Sequence, residues 1–174
     1  LMVLGMVVSG VVGLFEGIMA QLTIIVSFQS LILDMAGNVG TQSLAVTIRV
    51  LMDEALTGRQ KLELVCKEGR IGLLNGLILG AASCGVVGLY IMLFKAKTAA
   101  FAFGISGCIG VALLLAMAVS SIVGTCVPLL FKKLGVDPAV ASGPLITTLN
   151  DLTAVVAYYG LAWLLLINTF GFGA

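Results

Sequence analysis

No histidine occurs in these 174 residues, and only 10% of them carry a charge. The four cysteines, Cys66, Cys84, Cys108 and Cys126, stand far apart with no CxxC pair among them. These absences argue against a thiolate metal site, a haem and a disulfide scaffold. Free, buried cysteines acting as small hydrophobes are expected instead. No GxxxxGK[ST] phosphate loop is present, so nothing here hydrolyses ATP, and transport has to be driven by a gradient or a partner. A basic cluster with interleaved aromatics is also missing and the net charge is only +1, so no nucleic-acid partner is expected, nor any enzymatic activity.

What fills the chain is apolar. Hydrophobic residues make up 60% of it and the mean hydropathy is +1.21. A soluble domain is nearer a quarter charged, so an integral membrane protein is expected, in contact with lipid. The apolar runs are continuous rather than alternating, which predicts helical spans and an all-α fold. Five spans can be marked: about 1–15, 22–51, 71–94, 99–131 and 139–167, with a charged connector at 53–70. The second and fourth exceed a perpendicular crossing of about 20 residues, so tilt, a kink or extension into the cytoplasm is expected. The connector's Asp53, Glu54, Glu63 and Glu68 alternate with basic residues and read as a solvated helix face.

Basic residues set the expected orientation. Arg49, Arg59, Lys61, Lys67, Arg70, Lys132 and Lys133 fall on one side of a five-span arrangement, and Lys95 and Lys97 on the other. The positive-inside rule places the N-terminus in the cytoplasm and the C-terminus outside, in a plasma-membrane protein. The chain opens on Leu1 with neither an initiator Met nor a basic signal-peptide flank, which reads as a cut at a domain border below a cytoplasmic soluble portion. In the third span Gly72, Gly76 and Gly80 repeat every four residues, continued by Cys84 and Gly88. This spacing lets helix backbones approach closely, and Gly104, Gly107 and Gly110 are expected to serve likewise.

Two polar clusters interrupt the apolar background. Asp151 falls near the middle of the last span, where tyrosines are the only other ionisable residues. A carboxylate there costs roughly 2.5–3.5 kcal/mol on insertion scales, so something has to offset it. Gly143 and Thr147 precede it at four-residue spacing, Ala154 and Tyr158 continue the face, and Pro144 is expected to free backbone carbonyls. In the second span Asp34, Asn38 and Gln42 recur at i, i+4 and i+8 beside Thr41, and Gly37 and Gly40 permit an irregular backbone around Asn38. Oxygen ligands fit a hard divalent cation such as Mg²⁺, which keeps most of its waters. One Asp151 cannot balance a double charge. Two copies on a symmetry axis can, which favours a homodimer with a central pore. The residues alone leave open a helix brace at Asp151 and interhelical amide bonds at Asp34, Asn38 and Gln42.

The stretch DMAGNVGTQSLAVTIRVL (34–51) resembles the GNxGxQ signature in the second transmembrane helix of the MgtE family of magnesium channels. DPAVASGPLITTLNDLTAVVAYYGLA (137–162) resembles that family's last helix, with its DPAxxSGPxxTTxxD pattern. The resemblance implies a homodimeric, Mg²⁺-selective channel whose pore is lined by the second and fifth helices. It implies Asp151 as the main selectivity ligand for a largely hydrated ion, helped by backbone carbonyls around Thr147. Asn38 and Gln42 match its pore-side signature. The pore-lining set expected in this chain is Asp34, Asn38, Gln42, Gly143, Thr148 and Asn150, with Asp151 and Thr147 holding the metal. Two departures stand out: Ser30 occupies a position that is often proline in the family, and the family's cytoplasmic N and CBS regulatory domains have no counterpart in these residues. A passive channel is the leading expectation; a Na⁺- or H⁺-coupled exchanger using Asp34 or Asp151 is the alternative, and a noncatalytic membrane scaffold is a third reading.

Overall fold

Four helical stretches are long and apolar enough to cross a membrane: Thr23–Met52, Gly58–Phe94, Ala99–Lys133 and Gly143–Thr169. The computed structural model describes residues 2–53 and 56–172, and no strand occurs among them. The elements are α1 (Met2–Gly13), α2 (Glu16–Gln21), α3 (Thr23–Val26), α4 (Gln29–Asp53), α5 (Gly58–Phe94), α6 (Ala99–Lys133) and α7 (Pro138–Leu161). The last runs on into a wider π-wound segment, Ala162–Thr169. The chain is thus an all-helical, multi-pass membrane protein, its lipid-facing surface carrying Leu74, Ile78, Val86 and Leu115.

Several expected boundaries change. The expected first span is the 12-residue α1, which at 1.5 Å per residue covers about 18 Å of a hydrocarbon layer about 30 Å thick. Leu1, at its start, lies outside the described residues. The second span is broken not at Gly37 and Gly40, where α4 is continuous, but earlier, at Leu22 and at Ser27–Phe28 between α3 and α4. Glycine in a helix core permits a break without forcing one, and packing on both sides of Gly40 holds the helix regular. Likewise α7 passes through Pro144 unbroken, and the Thr148 hydroxyl donates to the Pro144 carbonyl at 2.9 Å.

The charged connector is mostly helix. A capping box at Thr57, whose hydroxyl accepts from the Gln60 amide while Gln60 Oε1 accepts from the Thr57 amide, starts α5 at Gly58. Its 37 residues extend about 55 Å, so α5 projects well beyond a bilayer core. Arg59 and Glu63 form an exposed ion pair on the projecting part. Glu68, expected on a solvated face, is instead only 3% exposed. It belongs to the stripe Leu64–Glu68–Gly72–Gly76–Gly80, which packs onto α6. Glu54 lies outside the described residues, as does the side chain of Asp53.

α6 is the hub, packed against α4, α5 and α7. Against α5 the backbones nearly touch: a Cβ added to Gly80 would lie 2.6 Å from the Gly110 carbonyl oxygen, and one on Gly110 would lie 2.7 Å from that of Gly80. Without a solvophobic drive between helices in lipid, such packing and interhelical hydrogen bonds hold the bundle. Gly104 instead seats the Phe172 ring, and Gly107 faces open space. A hydroxyl relay crosses three helices. Ser121 donates to the Glu68 carbonyl at 2.6 Å, which uses its one hydrogen, so Ser43 donates to Ser121 across 2.8 Å. The cysteines are free, but only Cys108 is fully buried; Cys84 is half-buried, and Cys66 and Cys126 are exposed on the helix surfaces.

Candidate cation groove

Helices α4 and α7 pack directly against each other, and between them runs an open groove of about 280 Å³ lined by Leu33, Asp34, Gly37, Asn38, Thr41, Thr147 and Asp151. The two polar clusters of the sequence therefore meet on one surface. Asp34, Asn38, Thr41 and Thr147 are exposed and Asp151 is half-buried. The groove offers room for a hydrated ion, since six waters at about 30 Å³ each occupy about 180 Å³.

Its chemistry is that of an acceptor surface. The Asn38 amide nitrogen donates to Asp34 Oδ2 at 3.3 Å, leaving the amide oxygen free to accept. Thr41 spends its hydroxyl hydrogen on the Gly37 and Asn38 carbonyls, at 2.9 and 3.0 Å, and Thr147 spends its own on the Gly143 carbonyl at 3.1 Å. A hydroxyl whose hydrogen is used presents only lone pairs. Two carboxylates, an amide oxygen and two such hydroxyls then face the same space. Water molecules around a divalent cation point their hydrogens outward, towards such a set. Asp151 makes no hydrogen bond or ion pair among the described residues, so it does not brace one helix of its own chain to another. No group of three or more His, Cys, Asp or Glu gathers as a metal cage among the described residues.

The sequence profile of the MgtE family, described as a divalent cation transporter, matches residues 29–161, which includes every groove residue. The chain belongs to the MgtE family. It is 38% identical over 162 residues to the magnesium transporter MgtE of Enterococcus faecalis, covering 93% of this chain and 34% of that protein. The magnesium transporter MgtE of Bacillus subtilis is 33% identical over 162 residues, again 93% of this chain and 34% of the relative. That of Thermus thermophilus is 34% identical over 169 residues, covering 95% and 35%. The chain therefore spans about a third of the length of the curated MgtE relatives it matches.

Within this MgtE domain the structure brings together Asp34, Asn38, Thr147 and Asp151, and leaves the other expected residues outside the groove lining. Helical phase explains the division. At about 100° per residue, Asn38 and Thr41 lie within about 40° of Asp34, whereas Gln42 is about 80° away. Gln42 is exposed next to the groove, and Thr41, one residue earlier, takes the place expected of it. The i, i+4, i+7 spacing of Asp34, Asn38 and Thr41 is the signal that identifies it. On α7, Thr147 is about 40° from Asp151, but Gly143, Thr148 and Asn150 are displaced by about 60–100°. Gly143 is half-buried with nothing near its missing side chain. Thr148 and Asn150 point into the bundle, with Asn150 fully buried.

Beyond Asp151 the same face closes. Ala154 and Tyr158 are fully buried rather than lining open space. The Tyr158 hydroxyl donates to the Ile25 carbonyl at 2.8 Å, and Tyr159 donates to Gln29 Oε1 at 2.6 Å. These two bonds tie α7 to the break between α3 and α4 and fix where the groove ends.

Proposed function

We propose that two copies of this MgtE domain form a magnesium channel, with the α4–α7 grooves facing each other across a twofold axis. The observation that carries the proposal is the acceptor-rich groove on the surface of a single chain, in the middle of two apolar helices. Lipid cannot satisfy Asp34, Asn38, Thr41, Thr147 and Asp151, so this face has to meet water and protein. A second copy supplies both, and its Asp151 completes the charge balance for one divalent ion. That magnesium is the cargo rests on the similarity to proteins named as magnesium transporters.

In this reading the chain crosses five times, with α1 and the turn after it as the first crossing, the N-terminus in the cytoplasm and the C-terminus outside. Support comes from the side-by-side packing of α1 on α7 and from the basic residues at the α5 start and the α6 end. An N-terminal cytoplasmic regulatory domain, as the family resemblance implies, belongs to the same proposal. Conduction follows from charge. The membrane potential draws a double charge inward with about 4.6 kcal/mol per 100 mV, twice the single-charge value, and no ATP is needed. Asp34 and Asn38 pass the hydrated ion along α4, while Asp151 and Thr147 hold it from α7.

The test is uptake into proteoliposomes with equal Na⁺ and equal pH on both sides and an inside-negative potassium diffusion potential. A channel takes up Mg²⁺ under the potential alone. Uptake that appears only with an opposing Na⁺ or H⁺ gradient replaces the channel with a coupled exchanger, and no uptake under either condition leaves only a scaffold.

A further inference from the structure

Asn150 is fully buried, and among the described residues neither its amide nitrogen nor its amide oxygen has a hydrogen-bond partner. Buried amides are nearly always paired, so one left unpaired needs a reason. Its position supplies one. A Cβ placed on Gly40 would collide with the Asn150 amide nitrogen and lie 2.8 Å from Cγ and 2.9 Å from Oδ1. The amide nitrogen is the nearest of the three, so the amide presses its nitrogen end against the bare Cα of Gly40. On its other side Gly40 is equally confined, because a Cβ on Gly124 of α6 would collide with the Gly40 carbonyl oxygen. Gly40 is therefore held between Gly124 and the Asn150 amide, at the point where α4, α6 and α7 cross. Asn38 and Thr41 flank Gly40 on α4, and Asp151 follows Asn150 on α7, so this contact lies directly behind the groove.

We infer that Asn150 is a positioning residue for ion selectivity: its amide, acting as a spacer against Gly40, sets the distance between α4 and α7 and thereby the width of the groove between Asp151 and the pair Asp34 and Asn38. A site that discriminates hydrated cations by size depends on that width. The inference rests on the channel reading above, but the contact itself can be tested without it. Since the amide makes no hydrogen bond among the described residues, Asn150→Ala removes a spacer without breaking one, whereas Gly40→Ala inserts a methyl where the amide already lies.

The experiment measures Mg²⁺ and Ca²⁺ uptake in proteoliposomes, with thermal unfolding in detergent, for wild type, Gly40→Ala, Asn150→Ala and the double variant, with Gly85→Ala as a control whose added methyl meets nothing within 4 Å. Asn150→Ala is expected to unfold close to the wild-type temperature yet lose about tenfold in its Mg²⁺/Ca²⁺ uptake ratio, as a site left slightly too loose would. Gly40→Ala is expected to unfold earlier, and Asn150→Ala added to it to restore the unfolding temperature, because the alanine vacates the space the methyl needs. A merely structural role lowers uptake of both ions together and leaves their ratio unchanged, and that result overturns the inference. So does a double variant in which the two thermal effects simply add. Wild-type vesicles that take up neither ion overturn the channel reading and the selectivity role with it, while the thermal rescue still reports on the contact.

Discussion

Asp151→Ala is expected to reduce Mg²⁺ uptake in proteoliposomes to the level of empty vesicles while the protein stays folded. The carboxylate is half-buried and makes no hydrogen bond or ion pair among the described residues, so its removal strands no partner among them. In the proposed channel, what disappears is its hold on the hydrated ion. A charge-assisted hydrogen bond contributes about 1.5–3 kcal/mol, and the proposed dimer would lose one such contact from each chain, roughly 3–6 kcal/mol in all. At 1.4 kcal/mol per decade this weakens occupancy by about a hundredfold or more. Thr147→Val is a milder change by the same argument, because its hydroxyl adds neutral lone pairs beside the charge. Selective uptake by Asp151→Ala at the wild-type rate removes this residue from the ion path.

A large stability effect is expected in the contact between α5 and α6. The Gly80 and Gly110 backbones stand so close that even one methyl on Gly80 would sit 2.6 Å from a carbonyl oxygen. Backbone cannot turn aside as a side chain can, so Gly80→Ala forces the helices apart, at a cost of about 1–3 kcal/mol for overpacking. Gly80→Leu costs more. On the same helix Gly85 has nothing within 4 Å, and Gly85→Ala is expected to leave stability unchanged. Thermal unfolding of the two alanine variants in one detergent separates them. Equal unfolding temperatures contradict the close approach.

Much of this was legible in the residues. Continuous apolar runs identified a helical membrane protein, and four-residue glycine spacing identified the side of α5 that meets α6. Spacing also picked out Asp34, Asn38, Thr147 and Asp151, because polar groups stand out against an apolar helix. Phase was harder. Gln42 and Thr41 are adjacent, both polar, and separated by about 100° around the helix, so composition cannot choose between them without knowing where α7 lies. Asn150 shows the same difficulty from the other side: next to Asp151 and equally polar, it turns inward, where the bare Cα of Gly40 leaves room for its amide. Two further features depended on tertiary packing. Glu68 is buried because α6 covers its side of α5, and the irregular backbone that Gly37 and Gly40 would permit is absent because α6 and α7 confine Gly40 on both sides. The short α1 was unreadable from hydropathy, which reports apolar length but not where a turn ends a helix.

The central claim is that the groove binds a divalent cation through Asp151, and a magnesium titration of thermal stability tests it most directly. Purified wild type and the near-isosteric Asp151→Asn are unfolded at increasing MgCl₂, at constant ionic strength. A ligand that binds only the folded state adds about 2.7 kcal/mol at a hundred times its dissociation constant, so the wild-type unfolding temperature should climb and then level with occupancy. Asp151→Asn should stay flat over the same range. An equal, saturating rise in both proteins would contradict the account, because the ion would then be bound somewhere that Asp151 does not reach.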